Sequence, residues 1–233
     1  MMKVRRSNER GHAAHGWLDT YHTFSFADYH DPRWMGYRSL RVINDDLVMP
    51  GMGFGKHPHR DMEIITYVRE GAITHEDSMG NKGRTEAGDV QVMSAGTGIR
   101  HSEYNLEDKL TKIFQIWIMP NRTGQAPSWG AMTFPKGEHS GKFVTLASGL
   151  PGDAGVLPLR ADARVVGATV KAGETLTYPI DPQRHAYLVS TTGSVEVNGV
   201  TLAPRDGAAI TGEAEVKVTA LGEDAEVVLV DAI

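Results

Sequence analysis

Gly51-Met52-Gly53-Phe54-Gly55-Lys56-His57-Pro58-His59, followed by Glu63-Ile64-Ile65-Thr66-Tyr67-Val68 and closed by Gly71, is the stretch that decides the fold. Glycines punctuate it, β-branched and aromatic residues fill its second half, and no helical period runs through it. Successive side chains of a strand point to opposite faces, so His57 and His59, two apart, share one face. Further along, His101-Ser102-Glu103 repeats the spacing after the Gly-rich turn Met93-Ser94-Ala95-Gly96-Thr97-Gly98-Ile99-Arg100, and the apolar run Ile113-Phe114-Gln115-Ile116-Trp117-Ile118 follows. Two such strands facing each other across a barrel would bring three imidazoles and one carboxylate to a common point. Such an all-N/O donor set suits a divalent Fe, Mn, Co, Ni, Cu or Zn ion and can leave a position open for water, O2 or a substrate oxygen.

Working outward, the 233 residues suffice for one large or two small domains with a real core. The formal net charge of −5 leaves no basic footprint, so direct nucleic-acid binding is not expected. Cysteine is absent, which removes disulfides, thiolate metal sites and thiol nucleophiles together and fits a reducing compartment. The charged segment from Met1 to Ser7 has no apolar stretch behind it, so Arg5-Arg6 does not read as an export signal. No apolar run approaches the roughly 18 residues of a spanning helix. A cytoplasmic protein without membrane partners is expected.

The chain reads as all-β. Short β-rich runs alternate with Gly, Pro, Asn and Asp turns at residues 39–44, 64–68, 72–75, 89–93 and 112–119, and again at 164–170, 186–190, 194–197, 216–220 and 226–231. Asn198-Gly199 between valines predicts a type I′ hairpin. A faint internal repeat sets Glu70-Gly71-Ala72-Ile73 and Gly88-Asp89 against Thr192-Gly193-Ser194-Val195 and Asp206-Gly207. In that alignment Pro179 and Asp181 stand where the first half has His57 and His59, His185 falls on Glu63, and Ala220 and Gly222 replace His101 and Glu103. The second copy therefore lacks the donor set and reads as a packing domain. The expected division is a metal-binding domain over 1–125, a linker over 126–156 and a degenerate second domain over 157–233.

The spacing Gly51-x5-His57-x-His59-x3-Glu63-x7-Gly71 resembles the first cupin motif with one extra residue. Gly88-x5-Ser94-x-Gly96-x4-His101-x3-Asn105 resembles the second, with serine where proline is usual and a longer turn before the histidine. Those departures, with Glu103 two residues past His101, resemble the pirins, a bicupin subfamily. Arg10-Gly11-His12, His15-Gly16-Trp17-Leu18, His22-Thr23-Phe24-Ser25-Phe26, Arg41-Val42-Ile43-Asn44-Asp45-Asp46 and Gln115-Ile116-Trp117-Ile118-Met119-Pro120 resemble the bacterial pirin-like quercetin dioxygenase group. The likeness is specific over the first 120 residues and only general beyond them. It implies a bicupin of two β-barrel, jelly-roll (double-stranded β-helix) domains packed together. It also implies one metal per chain, iron before the alternatives, held by His57, His59, His101 and Glu103. The wider cupin pattern takes its carboxylate from the position of Glu63; here Glu103 is the expected ligand because it pairs with His101 two residues away. Glu63 is then either an acceptor for a ligating imidazole or a solvent-facing residue.

The resemblance further implies O2-dependent cleavage of a flavonol such as quercetin, or a related phenol, with release of carbon monoxide. Glu103 is both ligand and candidate base. The same family offers a second reading, a non-catalytic metal- and redox-sensing regulator that contacts other proteins. A third is a cupin enzyme with a different small substrate. His12, His15 and His22 sit in an aromatic segment that reads as an arm or strand packed on the barrel. His75 and Asp77 read as solvated turn chemistry, and Gly96-Thr97-Gly98 lacks the residues of a phosphate loop. Met52, Phe54, Met93, Ile99 and Trp117 read as core, with lining of a pocket as the other use.

Overall fold

The computed structural model describes residues 1–133 and 140–233, so part of the expected 126–156 linker, residues 134–139, lies outside the described residues. From the N-terminus run β1 (Met2–Arg5), β2 (Gly11–Ala14), β3 (Leu18–His22), β4 (Leu40–Val48), β5 (Gly53–His59), β6 (Glu63–Glu70) and β7 (Ala72–Asp77). Next come β8 (Lys82–Glu86), β9 (Val90–Ser94), β10 (Ile99–Tyr104), β11 (Thr111–Ile118), β12 (Ser128–Met132), β13 (Val144–Ser148) and β14 (Leu157–Pro158). The chain closes with β15 (Ala163–Val170), β16 (Thr175–Pro179), β17 (His185–Val197), β18 (Val200–Leu202), β19 (Gly207–Thr211) and β20 (Glu215–Ala232). One 3-10 turn, Ser7–Glu9, is the helical content of the described residues. The architecture is all-β, as the alternating pattern predicts.

Two compact units form. The described part of Gly11–Phe134 joins Pro151–Asp162; Met1–Arg10 and the described part of Pro135–Leu150 join Ala163–Ile233. The grouping is therefore not linear in sequence, unlike the expected 1–125 and 157–233. Strand β1 pairs with β19 from Met2 opposite Ile210 to Arg5 opposite Gly207, so its backbone groups are satisfied by C-terminal strands. Conversely, the Arg160 amide donates to Glu63 Oε2 at 3.0 Å, and the Asn121 amide to the Arg160 carbonyl at 2.9 Å. Those bonds tie Pro151–Asp162 to N-terminal strands.

In the first unit a seven-stranded antiparallel sheet runs β12-β9-β6-β11-β4-β3-β2 and a four-stranded one runs β5-β10-β7-β8. Residues from both sheets meet in shared apolar clusters. Val68 and Ile113 pack with Ile73, and Ile64 and Met93 pack with Ile99. The cross-strand register of the larger sheet aligns its inward residues into rows. One row is polar, His22–Asn44–Gln115–Thr66–Gln91 across β3, β4, β11, β6 and β9. The neighbouring row Val42–Trp117–Ile64–Met93 is apolar. A polar row inside an apolar core is costly unless each group finds a partner. That cost is the first sign of a site.

The second unit is built on a sheet ordered β1-β19-β17-β20-β15-β13, with β16 added to β20 and β18 to β17. Val166, Leu188, Val195, Val218 and Leu229 are among its buried core residues. Asn198 and Gly199 both take positive φ, 43° and 84°, in the predicted hairpin turn. Segments that read as separate strands at 186–190 and 194–197 form one strand, β17, whose pairing with β20 shifts register between Ser190 and Ser194. Such a bulge bends a long strand without ending it.

Candidate metal centre

Strands β5 and β10 are hydrogen-bonded neighbours in the four-stranded sheet, and His101 stands directly opposite His57. This corrects the expectation of two strands facing each other across a barrel; the imidazoles meet by lateral pairing on one sheet face. His59 adds the third ring from its place two residues after His57. The ligand atoms of His57, His59 and His101 all lie within 4.8 Å of one another. His101 Nε2 and His57 Nε2 are 3.1 Å apart.

The proton positions follow from the partners. The Gly55 carbonyl, 2.7 Å from His57 Nδ1, can only accept, so Nδ1 carries a proton and, in the neutral ring, Nε2 keeps its lone pair. Asp77 Oδ2 lies 3.1 Å from His75 Nε2. A carboxylate only accepts, so His75 Nε2 is protonated and, in the neutral ring, Nδ1 is bare. His75 Nδ1 lies 3.4 Å from His101 Nδ1, which must then donate, leaving His101 Nε2 bare as well. Two lone pairs thus face each other across 3.1 Å, a repulsive pairing that a cation relieves. Imidazole nitrogens about 2.0–2.1 Å from a zinc-like ion, at tetrahedral to right angles, stand about 2.9–3.4 Å apart, so the His57–His101 pair is spaced for a first-row divalent ion.

Electrostatics favour the same state. Burial, reinforced by His101 and His57, pushes His59 down to about 4 against the opposing pull of Glu103. Burial, reinforced by His57 and His75, pushes His101 down to about 3. Both rings are neutral at pH 7 and available as donors.

Glu103 is buried and points into the same cavity as the three rings, but its carboxylate falls outside their group of mutually close ligand atoms. Its Oε1 accepts from Thr66 Oγ1 and Gln91 Nε2, both at 2.6 Å, and its Oε2 accepts from Gln115 Nε2 at 2.6 Å. The polar row of the larger sheet therefore serves Glu103. A register shift between His101 and Glu103 sets Glu103 against Phe54 instead of Gly55. Gly53 permits this, since a Cβ there would stand 2.2 Å from the Glu103 carbonyl oxygen.

Three sequence readings are corrected. Glu63 is neither an imidazole's acceptor nor solvent-facing: it is buried, and its Oε2 accepts from Ser94 Oγ at 2.7 Å as well as from the Arg160 amide. The turn after His59, where Asp61 takes φ 45°, breaks the alternation that would have put it on the His59 face. His75 and Asp77 are not solvated. Both side chains are fully buried, Asp77 is held by Asn81 Nδ2 at 2.9 Å and by the amides of Met79 and Asn81, and Trp129 stacks on His75 with centroids 4.8 Å apart. The signal was present, since His75 and Asp77 have the same two-residue spacing as His57 and His59. Finally, Met52 is 43 % exposed and belongs neither to core nor to pocket.

The cavity has a volume of about 670 Å³. Its walls are largely aromatic. Trp117 packs edge-on to His59 (5.0 Å) and to Phe26 (5.5 Å), and Trp17 packs edge-on to Phe54 (5.2 Å). The N-terminal strands β2 and β3 supply His12, Thr20 and His22 to the lining, so the expected arm is a wall of the pocket. Imidazoles, the carboxyl groups of Glu103, Asp46 and Asp28, and aromatic walls make a pocket for a metal ion beside a flat ligand.

These features define a two-domain cupin whose metal-type site lies in the first domain. The chain belongs to the pirin family: residues 3–118 match Pirin, and residues 145–232 match the quercetinase C-terminal cupin domain. It is 65% identical over 232 residues to a pirin-like protein of Caulobacter vibrioides, covering 100% of both chains. It is 45% identical over 234 residues to quercetin 2,3-dioxygenase of Escherichia coli K12, covering 99% of this chain and 98% of that one. The crystal structure of the bacterial pirin YhhW from Escherichia coli in complex with nickel(II) matches with TM-score 0.92 at 44% identity, covering 100% of this chain and 99% of the other.

Proposed function

We propose that His57, His59, His101 and Glu103 hold one divalent transition metal, iron first among the candidates, and that the protein cleaves a flavonol or related phenol with O2. The observation that carries this reading is the approach of His57 Nε2 and His101 Nε2 to 3.1 Å in an aromatic cavity. When bound, the metal would lower the pKa of a substrate hydroxyl and orient substrate and O2. The chain's residues do the rest. Trp117, Phe26 and Phe54 give a flat ligand apolar faces and keep water from it. Gly55 and His75, by holding the Nδ1 protons of His57 and His101, keep the Nε2 atoms as donors. Glu103 has about four acceptor positions, of which Thr66, Gln91 and Gln115 use three, leaving one on Oε2. That position serves a metal or a substrate proton, so Glu103 is ligand and base in turn.

The test is O2 uptake by iron-, manganese-, nickel- and copper-loaded protein on a panel of phenols, with metal content measured in parallel. Turnover by one metal form, lost in His57→Ala together with His101→Ala, supports the reading. Tight metal binding without turnover on any phenol would overturn the oxygenase assignment and favour the regulator.

A further inference from the structure

Glu103 accounts for three members of the polar row, Gln91, Thr66 and Gln115. The row continues two strands further, to Asn44 on β4 and His22 on β3, both buried and both lining the cavity. Asp46, two residues after Asn44 on the same inward face, stands opposite Thr20 and lines the cavity too. Asn44 is 5 % exposed, Asp46 2 % and Gln115 7 %, yet Asn44 Oδ1, Asp46 Oδ1 and Gln115 Oε1 accept no hydrogen bond. The Gln115 orientation is fixed, because its Nε2 must face the Glu103 carboxylate, so Oε1 is the atom left over. Buried acceptors without donors are rare and unfavourable, and three share this wall with the Thr20 hydroxyl opposite Asp46.

We propose that Asn44, Asp46 and Gln115 recognise the hydroxyl groups of an aromatic ligand, accepting hydrogen bonds from its phenolic O–H groups. The proposal rests on the phenol reading and narrows it: the ligand carries more than one free hydroxyl. The amide oxygens of Asn44 and Gln115 give nothing to an ether oxygen, and an ionised Asp46 repels a carboxylate. Aromatic walls accept a polyhydroxylated ring and its methyl ether alike, so discrimination between the two falls to this row. Burial pushes Asp46 up to about 7, with Asp45 and Glu103 adding to it, against the opposing influence of the Thr20 hydroxyl and of Arg69.

The experiment is calorimetric titration of metal-free full-length protein with quercetin and with its fully O-methylated form. Asn44→Val and Asp46→Val serve as variants, since valine suits a buried strand and leaves no polar atom unpaired. Wild type should bind the hydroxylated compound at least about tenfold more tightly. Each variant should lose about tenfold for the hydroxylated compound and little for the methylated one. Circular dichroism confirms folding, and the ratio of the two affinities within each protein is the quantity read. An unchanged ratio in both variants, or no preference in wild type, overturns the proposal. Because the titration uses metal-free protein, failure of O2 turnover would sink the oxygenase reading while leaving this one intact.

Discussion

Replacing Asp77 by asparagine tests the chain Asp77–His75–His101. Asp77 Oδ1 accepts from the amides of Met79 and Asn81, at 2.9 and 3.1 Å. In Asp77→Asn the amide oxygen must take that place, since two N–H donors cannot face an NH2 group. The NH2 group then occupies the Oδ2 position and meets His75 Nε2. Either the proton on His75 moves to Nδ1, reversing the chain and placing a proton on His101 Nε2, or N–H groups face each other inside the core. The first outcome removes a metal lone pair, and the second leaves buried donors unpaired at about 1–3 kcal/mol. Loss of such outer support typically lowers metal affinity by about 10–100-fold, or about 1.4–2.7 kcal/mol. Competition against a chromogenic chelator measures the affinity, and long-range ¹H–¹⁵N spectra of the metal-free protein read which ring nitrogen of His101 carries the proton. Affinity within about twofold of wild type, with the His101 proton still on Nδ1, would refute the reasoning.

Four further outcomes follow from the geometry. His57→Ala together with His101→Ala should abolish the single metal per chain by elemental analysis; retained stoichiometry would reject the centre. Glu103→Gln should weaken metal binding, whereas Glu63→Gln, whose oxygen bonds only Ser94 and Arg160, should keep it, and the reverse pattern would exchange their roles. Gly83 faces His75 across β7 and β8, and a Cβ there would stand 2.2 Å from the Trp129 ring that stacks on His75; Gly83→Ala should displace that ring and shift its fluorescence, and an unchanged spectrum and metal affinity would show the stack to be dispensable. Asp46, raised from 3.8 to about 7 chiefly by burial, contributes stability that is fully present below pH 3.8, falls as pH rises towards 7 and is gone above it. Asp46→Asn should therefore stabilise the metal-free protein at pH 8, by roughly 4 kcal/mol at most at 1.36 kcal/mol per unit, and much less at pH 4. Equal melting shifts at the two pH values would contradict the assignment.

The sequence by itself determined the all-β class and the hairpin at Asn198-Gly199. It also marked His57, His59 and His101 as a group. These are local facts, because a period of two and a turn type are written in adjacent residues. Tertiary structure alone decided that β5 and β10 pair side by side, that the register shift turns Glu103 to Gln91, Thr66 and Gln115, and that Glu63 spends its carboxylate on Ser94 and Arg160. It also turned His75 and Asp77 from apparent turn residues into buried support for His101, and gave β1 to the C-terminal strands. The reason is that strand pairing is non-local. Register between segments far apart in sequence is fixed by the summed burial of whole faces, so no single stretch carries it.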